Sequence, residues 1–99
     1  MSAARQTLVV RLMSVTPAEF ARSLAVLDPQ AYLDPAGTAR VQVAGSRASV
    51  HLEVLPERRL GGLLALPQAR VSIAFDDGTA GQRQAFLDLF DLAFQRGGG

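Results

Sequence analysis

The order of local signals predicts a two-layer α+β domain: a mostly antiparallel sheet with two helices on one face, in the order β-α-β-β-(β)-β-α. Three features carry that prediction. Thr16-Pro17-Ala18-Glu19 and Thr79-Ala80-Gly81-Gln82 are capping boxes, each opening a segment of helical apolar period. Between them, Gly45-Ser46 divides two alternating runs, as a hairpin turn does. A chain of 99 residues is the size of one domain, so residues 1–99 are read as a single unit.

Met1 to Gln6 forms a polar lead-in. The first strand is expected over Thr7 to Met13, where Leu8, Val10 and Leu12 alternate with Thr7, Val9 and Arg11; the Leu8 row is expected inward, and because the outward row is only partly polar the strand is expected to be central or covered on both faces. Thr16 then caps a helix from Pro17 to Leu27. Pro17 suits its first turn, Val15 and Phe20 stand where a hydrophobic staple closes, and Phe20, Leu24 and Leu27 form the apolar stripe. Asp28-Pro29 ends it, because proline cannot continue a helix.

Pro29 to Thr38 reads as a loop turning at Asp34-Pro35-Ala36-Gly37, with Tyr32 folding back onto the core. In the hairpin, a turn on Gly45-Ser46 sets Val43 against Ala48, Val41 against Val50, Gln42 against Ser49 and Arg40 against His51. Leu60 to Leu66 holds Gly61-Gly62, which in a helix would cost about 1 kcal/mol each relative to alanine, so a short strand is expected there. Arg70 to Phe75 alternates as a strand, and Asp76-Asp77-Gly78 turns the chain into the second helix, expected to end near Gln95 or Arg96. On that helix Gln84, Asp88, Asp91 and Gln95 share a polar face, while apolar residues fill most of the remaining arc.

By element order the chain resembles half of the TATA-binding-protein fold, and after the first strand it resembles double-stranded RNA-binding domains. Its ending, Phe94-Gln95-Arg96-Gly97-Gly98-Gly99, resembles the close of small uncharacterised bacterial proteins. None of these resemblances implies an activity.

Composition excludes several chemistries. There is no cysteine, hence no disulfide, thiol nucleophile or zinc–thiolate site. All ten basic residues are arginine, which removes Schiff-base and P-loop lysines. The net charge of +1 gives no general attraction to nucleic acid or anionic membrane. Leu8 to Val15 is too short to span a bilayer and lacks a cleavage pattern, so a cytoplasmic location is expected.

A polar sheet face is expected at Arg40, Gln42, Ser49, His51, Glu53, Arg70 and Ser72. Ser49, His51 and Glu53 supply the residue types of a catalytic triad. At positions i, i+2 and i+4 of one strand, however, they stand about 7 Å apart, far from the 3 Å contacts a triad requires. Asp76 and Asp77 lack calcium-loop spacing and read as turn residues. The terminal glycines read as a helix stop rather than the activated tail of a ubiquitin-like carrier, because they follow a helix. No catalytic, metal or cofactor site is expected.

The excess apolar arc on the second helix and the Leu60–Leu66 segment instead point to a non-catalytic binding or assembly module. The expected partner is protein, a second copy in a homodimer first of all. The expected interface is Leu60, Leu63, Leu64 and Leu66 with Leu87, Phe90 and Phe94. Two alternatives stay open: nucleic-acid binding through the arginine-bearing sheet face, and a small apolar ligand held between helix and sheet.

Overall fold

The computed structural model describes residues 8–98. Its elements are β1 (Leu8–Met13), α1 (Pro17–Leu27), β2 (Thr38–Val43), β3 (Ser46–Leu60), β4 (Leu64–Phe75) and α2 (Ala80–Gly98). The four strands form one antiparallel sheet in the order β1-β4-β3-β2, with both helices against one face. The predicted α+β class and element order hold. The bracketed short strand is no separate element: Leu60 closes β3, Gly61 to Leu63 turn, and Leu64 to Leu66 begin β4. The polar lead-in, Thr7 and Gly99 lie outside the described residues.

α1 starts and stops where its signals place it. Thr16 Oγ1 accepts from the Glu19 amide at 3.2 Å, and Glu19 Oε1 accepts from the Thr16 amide at 2.9 Å. This satisfies two amides that the first turn would otherwise leave unpaired. These hydrogen bonds favour the ionised carboxylate, so the Glu19 pKa is lowered. The same box recurs at α2, where Thr79 and Gln82 exchange bonds of 2.8 and 3.1 Å. α2 runs past the expected end, to Gly98.

Buried Ala39, Val41, Ala48, Val50, Leu52, Ala69, Val71, Ile73 and Phe75 line the helix-facing side of the sheet. Onto them pack Phe20 and Leu24 of α1 and Phe86, Phe90 and Phe94 of α2. The aromatic rings form a chain: Phe75 meets Phe86 edge-on at 5.0 Å, Phe90 lies 4.5 Å from Phe94, and Phe94 stacks on Phe20 at 5.0 Å. Tyr32 is 72% exposed and does not join them; Ala31 and Leu33 turn inward in its place.

The hairpin register differs from the expected one by two residues. The turn is Ala44-Gly45, so Val43 pairs with Ser46, Val41 with Ala48 and Arg40 with Ser49. Both turn residues have positive φ, 54° and 83°, the type I′ signature that matches the twist of the flanking strands. Because the displacement is even, each residue keeps its predicted face.

β3 and β4 continue well beyond the other strands. The sheet partners of β4 on the β1 side end with Met13 opposite Ala69, whereas β3 and β4 stay paired to Leu60 and Leu64. A register irregularity between Leu55 and Arg58 marks the base of this two-stranded arm. The arm accounts for the elongated shape, 50 Å against 28 and 25 Å.

Candidate assembly surface

β1 is turned over relative to expectation. Leu8, Val10 and Leu12 pair with Ala74, Ser72 and Arg70 of β4, and so share the side of the sheet that carries no helix. They are 62, 48 and 70% exposed. Val9, Arg11 and Met13 face the helices instead, opposite buried Ile73, Val71 and Ala69.

The inward Arg11 is the physical reason. Its Nε and Nη2 donate to the two carboxylate oxygens of Asp91 on α2, both at 3.0 Å. The Asp91 hydrogen bonds outweigh desolvation and raise the Arg11 pKa. An arginine can lie under a helix when a carboxylate takes both of its arms. Nothing local in the strand announces that partner, which stands 80 positions along the chain.

The sheet face without helices therefore has two characters. Its centre is polar, and each arginine there is matched to an acid: Arg40 with Asp76 at 2.7 Å, Arg47 with Asp77 at 3.3 Å and Arg70 with Glu53 at 2.9 Å. His51 Nδ1 lies 3.0 Å from Thr38 Oγ1, and Glu53 is bonded to Arg70, so the Ser49-His51-Glu53 set is not wired as a triad. Gln42, Ser49 and Ser72 complete this region, with Gln42 exposed and the two serines half-buried. Its margin is mostly apolar, with the exposed Arg58 opposite Leu66 on the arm. Leu8, Val10 and Leu12 form one side, and β4 alternation carries Leu64 and Leu66 of the arm onto the same face as Arg70.

The two sheet edges also differ. At β2, the Gln42 amide donates to Asp28 Oδ2 at 3.0 Å, the Thr38 amide to Asp34 Oδ1 at 3.0 Å, and Thr38 O accepts from the Asp34 amide at 2.9 Å. The loop after α1 thus covers that edge. At β1, among the described residues, no backbone or side-chain group bonds to the outer edge.

Of the expected interface residues, Leu60, Leu63 and Leu64 are exposed near the arm tip, and Leu66 is half-buried farther in. Leu87 is half-buried against the core. Phe90 and Phe94 are not available to a partner: at 0 and 9% exposure they are core, because the ring chain from Phe20 to Phe75 consumes that arc of α2. Sequence reasoning missed Leu8, Val10 and Leu12, whose signal was a strand apolar on both rows with an arginine in only one of them.

The space between helix and sheet expected for a ligand is filled by the same phenylalanines. An open groove of ≈ 670 Å³ lies instead between α1 and α2, with Leu27, Val43, Leu89 and Ala93 among its lining residues and Glu19 and Arg22 also present. Among the described residues, no group of His, Cys, Asp or Glu is arranged to hold a metal, and no helix is long and apolar enough to cross a membrane.

No family model matches this chain. A search of curated proteins gives no match either.

Proposed function

We propose that this chain is a non-catalytic assembly module whose first partner is a second copy of itself, meeting it through the helix-free face of the sheet and the β1 margin. The observation that carries the reading is the exposed row Leu8, Val10 and Leu12 beside an edge to which none of the described residues pairs. Antiparallel sheets with one solvated face normally make that face polar throughout, and edge strands are normally blunted or covered. β2 obeys the second rule; at β1, none of the described residues covers the edge.

The charge pattern favours this over nucleic-acid binding. The arginines of the sheet centre are each paired with a carboxylate, which lowers their attraction for phosphate. Light scattering across a micromolar concentration series tests the proposal. The parent is expected to dimerise, and Val10→Glu, which alters an exposed side chain, is expected to dimerise less. A parent that stays monomeric at high micromolar concentration refutes it.

The groove between α1 and α2 supports a second reading, a site for a small apolar ligand, since its volume lies within the range of ligand pockets. An environment-sensitive apolar dye tests it. Bright binding by the parent, lost in Ala93→Phe, supports the groove, and equal binding by both removes it.

A further inference from the structure

We infer that β1 pairs antiparallel with β1 of a second copy about a two-fold axis at Val10, joining two four-stranded sheets into one of eight strands. This rests on the self-association proposed above and specifies its geometry.

The backbone comes first. An unpaired edge presents a row of amide and carbonyl groups, and another strand is the partner that satisfies them all. β1 offers six residues of regular strand with no proline and no break in its pairing to β4. Two identical strands can join antiparallel across an axis perpendicular to the sheet, which leaves the helices of both copies on one side and both helix-free faces on the other.

Side chains then select the register. With the axis at Val10, Val10 faces its own copy, and Leu8 faces Leu12 on each side. The apolar rows of the two copies then form one block on the open face. Moving the axis to Arg11 sets Leu8 opposite Ser14, outside the strand, and breaks up the apolar block. Moving it to Val9 sets Leu8 against Val10 and takes Leu12 out of the apolar block, since its counterpart in the sequence is the polar Gln6. In the Val10 register Arg11 faces Val9 and keeps its own Asp91, so each copy brings a charge already neutralised.

A seam of five facing residues per copy, Leu8 to Leu12, lies at the small end of protein interfaces, so a micromolar rather than nanomolar dimer is expected.

The absence of cysteine makes the test direct, because one introduced thiol is the only thiol. In Val10→Cys the two Cβ atoms of facing residues would lie about 4.5–5.5 Å apart, close enough for a disulfide after small adjustment. Leu63→Cys, at a fully exposed tip position, measures the rate of chance collision. Under mild copper-catalysed oxidation at micromolar protein, Val10→Cys is expected to form covalent dimer at least about tenfold faster than Leu63→Cys, because paired thiols meet at an effective concentration near millimolar. If light scattering shows a dimer but Val10→Cys reacts no faster than Leu63→Cys, the β1 pairing is wrong and self-association stands. If the parent is monomeric at high micromolar concentration, both fail.

Discussion

Arg11 of β1 and Asp91 of α2 form a two-pronged ion pair, with both nitrogen-to-oxygen separations at 3.0 Å, that ties the edge strand to the last helix. It decides which row of β1 lies under the helices and which faces outward. The pair is half-exposed, with side-chain exposures of 35 and 47%, so solvent weakens it. Asp91→Asn is expected to cost about 0.5–1 kcal/mol of stability. A double-mutant cycle with Arg11→Met, followed by urea denaturation at low and high salt, checks this. A coupling near zero at low salt would mean that strand pairing alone orients β1.

The α1 box predicts a pH dependence. Glu19 has its folded pKa lowered below the ordinary 4.5 by the Thr16 amide and hydroxyl bonds. A depressed carboxylate adds stability that is fully present above its unfolded pKa and is lost as pH falls through the folded one. Glu19→Gln keeps an acceptor for the Thr16 amide but cannot titrate. Its denaturation midpoint is expected to fall less steeply than the parent's between about pH 5 and pH 3. Parallel curves would show that the acid limb comes from other groups. At neutral pH, Thr16→Ala is expected to cost about 1 kcal/mol.

The β2–β3 turn invites a stabilising change. Ala44 is the one non-glycine residue with positive φ among those described, at 54°. Asparagine tolerates that region better, so Ala44→Asn is expected to raise stability by about 0.5–1 kcal/mol. The neighbour behaves oppositely. A Cβ at Gly45 would sit 2.7 Å from Gln82 Nε2, and Gln82 holds the cap of α2 through its Oε1. Gly45→Ala should therefore lose stability and also loosen the first turn of α2, readable as faster amide exchange at Gln82, whose amide donates to Thr79.

Two positions on α2 separate core from surface. Phe90 is fully buried in the ring chain, and Phe90→Ala is expected to cost about 3–5 kcal/mol. Leu92 lies along the open groove at 49% exposure, and Leu92→Ala should change stability by less than about 1 kcal/mol. Thermal or urea unfolding of both variants checks the contrast. A large loss at Leu92 would mean the groove wall is part of the core.

The sequence by itself determined what depends on neighbours in the chain. Thr16 with Glu19 and Thr79 with Gln82 each closed a helix start through contacts three residues apart. The alternation of Val41, Ala48, Val50, Val71, Ile73 and Phe75 assigned the buried face, since period-two patterning survives even the two-residue shift in the hairpin. The tertiary structure alone decided the orientation of β1, the fate of the apolar arc on α2 and the form of the Leu60–Leu66 segment. Each turned on a partner far along the chain: Asp91 for Arg11, Phe20 for Phe94, and the long pairing of β3 with β4 for the arm. Apolar periodicity states that a row will be covered but not by what, because burial is a property of the assembled layers. The exposed row of β1 is where that difference bears on function.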